Sequence, residues 1–158
     1  MANVTAAMIK ALREKTGAGM MDCKKALVES DGNEEMAIDW LRKKGVANAA
    51  KKEGRIAAEG LSKAVVNGNR ACVVEINTET DFVAKNEQFL KLLDTTANVI
   101  LENEPKDVAE ALNLNVDGKT LNDLFIEAIS TIGEKITLRR FNVLTKGDND
   151  TFGVYMHN

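Results

Sequence analysis

The sequence predicts an α+β protein. Three observations carry that expectation: three short helical periodicities near the start, each closed by a glycine; an Asn67-Gly68 pair set between β-branched runs; and two longer amphipathic periodicities with strand-like segments after them. Together they place a small helical bundle ahead of an antiparallel sheet packed by helices.

Thr5 can cap a first helix whose apolar face is Met8, Ile9 and Leu12 and which stops at Gly17. A second runs from Asp22 through Ala26 and Leu27 to Gly32, and a third starts at Asn33, buries Met36, Trp40 and Leu41, and stops at Gly45. Helices of about three turns are marginal alone. They must pack on one another, with Trp40 as the largest single piece of buried area. Residues 1–45 are therefore expected to hold a compact three-helix bundle. Residues 46–60 are rich in Ala, Lys and Gly, with Ile56 as the one large apolar side chain, and predict a basic, partly helical linker.

Residues 61–158 carry the sheet. Leu61 to Val66 and Arg70 to Asn77 flank the Asn-Gly turn. From Asn86 to Asn103, Phe89, Leu90, Leu93, Ala97, Ile100 and Leu101 recur at helical spacing, and Pro105 ends the run. A further helix starts after Thr120, with Leu121, Leu124, Phe125, Ala128, Ile129 and Ile132 on one face and Gly133 as its stop. Lys135 to Thr145 is strand-like, residues 147–150 make a turn, and Thr151 to His157 is again strand-like. A chain that stops inside its last strand leaves an open sheet edge, so a fragment that self-associates through that edge is expected.

Composition narrows the function. The 158 residues are 44% hydrophobic and 28% charged but only 4% aromatic, which suits small aliphatic cores. A net charge of −3 argues against general nucleic-acid binding, whose affinity rests on neutralising phosphates. The one basic cluster is Arg42, Lys43, Lys44, Lys51, Lys52 and Arg55. No basic start leads into an apolar run and no stretch approaches a membrane span, so a cytoplasmic protein is expected. Cys23 and Cys72 lie apart with no partner at metal-ligand spacing and are expected to be small buried hydrophobes, with no metal or cofactor implied. The only histidine, His157, is the penultimate residue, and no Gly-rich phosphate loop or nucleophile–base spacing occurs, which speaks against catalysis.

Two segments are unlike core. In Leu12 to Leu27, Met20 and Met21 sit side by side in a Gly-flanked connection between helices, followed by Lys24 and Lys25. The methionines either plug the bundle or form an adaptable surface for a partner, since thioethers serve both roles. The lysines would by default be solvated. In Glu75 to Lys85, which joins the hairpin to the long helix, capping preference favours a turn capped by Asp81 with Phe82 packed beneath it. The alternative is an acidic and aromatic probe displayed on a loop.

These two segments closely resemble the two signature motifs of the elongation factor Ts family, exchange factors for elongation factor Tu, in the family's order and spacing. The similarity extends over Arg42 to Gly60, Ile132-Gly133-Glu134-Lys135, Arg139-Arg140 and Tyr155-Met156-His157. Thr78 stands where many relatives have Cys, Ser or Val, and the family continues beyond Tyr155-Met156-His157 into a second core subdomain and a C-terminal module. The resemblance implies a ubiquitin-associated-like bundle on a linker, then the N-terminal subdomain of the α+β dimerisation core, truncated inside its last strand. It implies no enzyme activity and no cofactor. The partner it implies is elongation factor Tu, GDP-bound and nucleotide-free, without direct contact to nucleic acid or membrane. Thr80, Asp81, Phe82 and Val83 would enter beside the magnesium and phosphate site of that GTPase and dislodge the ion. Met20, Met21 and Lys24 would touch it from the bundle, and Gly133 and His157 are further contact candidates. The rival reading is a ubiquitin-associated-type adaptor or ribosome-associated RNA-binding module built on residues 1–55.

Overall fold

A computed structural model describes residues 3–157 and divides them into two compact units. The first comprises the described residues up to Gly54 together with Ile126–Glu134, and the second comprises Arg55–Phe125 with the described residues from Lys135 onward.

In the first unit, α1 (Ala6–Thr16) starts where the Thr5 hydroxyl accepts the Met8 N–H at 3.3 Å. It ends at Gly17, whose φ of +69° places it in the left-handed region. Next come α2 (Met20–Glu29) and α3 (Glu34–Lys52), the latter capped by Asn33, whose side chain accepts from Met36 N at 3.0 Å. Leu12, Cys23, Ala26, Leu27 and Ala37 form the core, with Val4, Met8, Ile9, Ala18, Trp40 and Leu41 packed around it.

Two expectations need correcting here. Helix α3 does not stop at Gly45 but runs through it to Lys52, taking in half of the expected linker. Gly45 is there for close packing: a Cβ at this position would lie 3.2 Å from Ile126 Cγ2 and 3.5 Å from Ser130 Oγ. Met36 is exposed, because the buried stripe of α3 passes through Ala37, Trp40 and Leu41 instead. Trp40 is partly buried and packs against this core, whose centre holds Leu12 and Leu27.

In the second unit, β1 (Glu59–Asn67) and β2 (Arg70–Thr78) form the expected hairpin, and Gly68 carries the positive φ of the tight turn. A 3-10 turn (Val83–Lys85) leads into α4 (Glu87–Asn103), which buries Phe89, Leu92, Leu93, Thr96, Ala97, Ile100 and Leu101. Leu90 is exposed. Glu104, in the left-handed region with φ +48°, turns the chain out before the buried Pro105.

A short α5 (Val108–Leu112) and a two-residue ladder of β3 (Asn115–Val116) and β4 (Lys119–Thr120) follow, neither among the expected elements. The signal for the ladder is Asp117-Gly118, both with positive φ, the residue pair that a type I′ turn demands. Helix α6 (Leu121–Ile132) opens with a capping box: Thr120 Oγ1 accepts from Asp123 N, and Asp123 Oδ2 accepts from Thr120 N, each at 3.1 Å. Finally β5 (Ile136–Thr145) pairs antiparallel with β2, giving the sheet order β1-β2-β5. The register shifts between Glu75, opposite Arg140, and Ile76, opposite Leu138, so Arg139 is the extra residue of a bulge. Helix α4 packs on β1 and β2, which buries Cys72, Val74, Ile76 and Thr78.

The fold class is α+β, as the sequence predicts. The last expected strand is absent: residues 151–157 make no strand, and Val154, Tyr155 and Met156 are exposed. Alternation alone does not make a strand without a neighbour to bond to, and the outer strands of this sheet are β1 and β5. Among the described residues no sheet edge forms near Val154 and His157, where self-association is expected from the sequence.

Both cysteines are buried and free. Burial pushes the Cys72 thiol up to about 11, and burial likewise raises Cys23. The thiolate is the reactive species. At pH 8, native protein is therefore expected to react with a disulfide reagent at least tenfold more slowly than urea-unfolded protein. Stability tied to Cys72 is complete below the ordinary thiol value of 9.0 and declines as pH rises toward 11. Equal labelling rates before and after unfolding would refute this.

Candidate functional site

The segment from Glu79 to Asn86 leaves the central strand and enters the longest helix of the second unit. Its far end is firmly held. The Asn86 side chain accepts the N–H groups of Gln88 at 2.9 Å and Phe89 at 3.3 Å, and Asn86 N donates to Val83 O at 2.9 Å. Val83 and Ala84 are buried beneath the turn. Between these fixed points Asp81 is exposed and Phe82 is 80% exposed. Of the two sequence-level alternatives, the turn packed over Phe82 is excluded. Phe82, not Asp81, holds the N-cap position of the 3-10 segment, and no side chain caps it. Val83, grouped with the displayed residues by the family resemblance, is buried beneath the loop.

Exposed apolar side chains such as Ile56 and Tyr155 occur elsewhere on the surface; what sets the Phe82 ring apart is that it stands on a loop held at both ends. Seven residues further on, Phe89 is 0% exposed in the core. Two phenylalanines of one segment thus have opposite environments, which composition and spacing do not distinguish.

The near end of the loop rests on a residue that sequence reasoning passed over. Glu79 Oε1 accepts the Lys135 backbone N–H at 2.6 Å and the Arg55 guanidinium at 3.3 Å. Its position inside the second signature segment was the available signal, but its partners lie 56 and 24 residues away in sequence. Further back, Arg140 donates to Glu75 at 2.6 Å and holds that carboxyl below its ordinary value.

In the first unit, Met20 and Met21 lie in the first turn of α2 rather than in a loop, and both are exposed, Met21 by 74%. Plugging the bundle is thereby excluded. Lys24 is exposed one turn beyond Met20, giving the start of α2 a mixed apolar and basic face. Asp22 between them turns to α3 instead and pairs with Lys44, whose ammonium lies 5.5 Å from the centroid of the Trp40 ring. Gly133, with φ +88°, terminates α6. His157 is exposed beside Tyr155, ring centroids 6.2 Å apart.

The basic cluster is partly neutralised within the unit: Arg42 and Lys43 both pair with Asp39, whose carboxyl their hydrogen bonds hold low, and Lys44 is taken by Asp22. Among the described residues no group of three or more His, Cys, Asp or Glu is placed to hold a metal, and no helix is long and apolar enough to cross a membrane.

Comparison with known proteins agrees with these motifs. A family model described as Elongation factor TS matches residues 79–158, which include the loop, α4, α6 and β5. The chain is 59% identical over 157 residues to Elongation factor Ts of Oenococcus oeni (strain ATCC BAA-331 / PSU-1), an alignment covering 99% of this chain and 54% of that protein. It is 57% identical over 159 residues to Elongation factor Ts of Streptococcus suis (strain 98HAH33), covering 100% of this chain and 46% of that protein. The chain spans about half the length of these curated relatives. With both signature segments in place and a family model matched over half its residues, the chain belongs to the elongation factor Ts family.

Proposed function

We propose that this chain is the N-terminal half of a cytoplasmic guanine-nucleotide exchange factor that binds elongation factor Tu and promotes GDP release. In this proposal the first unit is a ubiquitin-associated-like bundle and the second is the N-terminal subdomain of the core. The observation that carries it is Phe82, standing free on a loop whose two ends are fixed. The chain itself performs no covalent chemistry.

An exchange factor supplies no energy. It must bind the empty GTPase more tightly than the loaded one, and linkage then requires nucleotide to weaken the factor by the same ratio. A rigid ring suits this task because little conformational freedom is lost when it wedges between elements of the partner. Asp81 brings a negative charge toward the neighbours of the magnesium ion, and loss of that ion removes the charge that holds the diphosphate. Thr80 and the buried Val83 set the footing. Met20, Met21 and Lys24 would make a second contact, thioethers adapting to an apolar patch and the lysine to an acidic rim. Gly133 and His157 are retained as secondary contacts. The internal pairing of Arg42, Lys43 and Lys44 leaves less charge for phosphates and speaks for a protein partner rather than RNA.

Release of a fluorescent GDP analogue from elongation factor Tu tests the proposal, with this chain beside a full-length relative. Acceleration that grows with chain concentration is expected, smaller than that of the relative, of whose length this chain spans about half. No acceleration even at saturating chain would overturn it. Asp81→Asn is expected to slow release about tenfold in excess magnesium, or about 1.4 kcal/mol, while binding stays measurable. The defect should shrink when magnesium is chelated. A defect of equal size in excess chelator would show that Asp81 does not act through the ion.

A further inference from the structure

Loop 79–86 is pinned at one end by the burial of Val83 and Ala84, whose 3-10 segment packs on α4 and β1, and by the Asn86 cap. The other end is held by a contact of a different kind. Glu79 Oε1 receives the Lys135 backbone N–H at 2.6 Å and the Arg55 guanidinium at 3.3 Å, while Lys135 Nζ donates to Arg55 O at 3.0 Å. One carboxylate thus joins three stretches of the second unit: the chain entering β1, the root of the loop, and the residue leading into β5.

The arrangement is poorly suited to stabilising the fold. The Arg55 side chain is half exposed, and ion pairs in such settings contribute little. The sheet and α4 already bury a continuous apolar core without it. What the contact does fix is direction. The Lys135 N–H lies one residue before β5, so a short bond to it sets where Glu79, and with it the chain through Thr80 to Phe82, leaves β2.

We propose that Glu79 is a positioning residue for exchange: it sets the angle at which Asp81 and Phe82 are presented, and ties that angle to Arg55 and Lys135. The proposal rests on the exchange function above. A rate that depends on geometry falls about a hundredfold for a misplacement near 1 Å, whereas affinity summed over a wide surface is far less sensitive. Removal of Glu79 should therefore lower the rate of release more than the affinity.

Two variants of the whole chain separate the possibilities. Glu79→Ala removes the acceptor, whereas Glu79→Gln keeps a neutral acceptor for the Lys135 N–H. For Glu79→Ala, GDP release at saturating chain is expected to fall at least tenfold, affinity for elongation factor Tu to change less than threefold, and Lys135 amide hydrogen exchange to speed up at least tenfold. Glu79→Gln should restore most of the release rate and the Lys135 protection. Unaltered release with Glu79→Ala, or losses of affinity and melting temperature in proportion to the loss of release, would overturn the inference. If the unsubstituted chain does not accelerate release at all, the exchange function fails first. Lys135 exchange then decides the anchoring separately, and unchanged protection in Glu79→Ala would refute that as well.

Discussion

Phe82→Ala is expected to slow chain-stimulated GDP release roughly thirtyfold, equivalent to about 2 kcal/mol, the loss typical of an aromatic anchor at the centre of an interface. Unfolding should hardly change. The ring is 80% exposed, and substitutions at such sites usually shift stability by less than about 0.5 kcal/mol. The control lies in the same segment. Phe89 is fully buried under the sheet, so Phe89→Ala should cost about 3–5 kcal/mol of stability and affect exchange only through loss of folded protein. Urea unfolding of both variants beside their release rates gives opposite patterns if the assignment is right. A large drop in the urea midpoint for Phe82→Ala with normal release would show instead that the ring packs and does not probe.

The largest purely structural effect is expected at Gly60, in the second position of β1. Its φ is +141°, and a Cβ built there would lie 2.1 Å from the Ile76 carbonyl oxygen and 2.8 Å from Asn77 Cα. Both obstacles are backbone of the central strand, held by ladders on either side, so they cannot move aside as a flexible side chain would. Gly60→Ala combines steric overlap with an unfavourable backbone conformation and should destabilise the second unit by about 3 kcal/mol or more. Gly68→Ala is the comparison. Gly68 has φ +56° but nothing within 4 Å of the added carbon, so only conformational strain of about 1 kcal/mol is expected. Equal urea midpoints for the two variants would mean that the close approach at Gly60 does not exist.

The fates of individual residues show how far local pattern reaches. Thr5 and Asn33 cap their helices, Asn86 caps α4, and Gly133 closes α6. Each of these rests on hydrogen bonds or backbone freedom within about four residues, which the order of residues largely dictates. The same holds for the hairpin at Gly68 and for most of the apolar stripe of α4, where spacing picks out Phe89, Leu93, Ala97, Ile100 and Leu101 but wrongly includes Leu90 and passes over the buried Leu92 and Thr96. The two signature segments are legible for a related reason, since a motif is a local string.

Tertiary structure decided what depends on residues distant in the chain. Gly45 has the composition of a helix stop but is a contact point against Ile126 and Ser130, which no local pattern reveals. Residues 151–157 have strand-like alternation yet make no strand, because strand formation needs a neighbour's donors and acceptors as well as propensity. Met20, Met21 and Phe82 are as apolar as many core residues, and only the packed fold places them outside. Glu79 finds Arg55 and Lys135 across long stretches of sequence. Caps, turns and periodicity are set by short-range bonding that the sequence by itself determines. Exposure and cross-chain anchoring are set by which surfaces the closed fold leaves uncovered, and in this protein the candidate site is made of those.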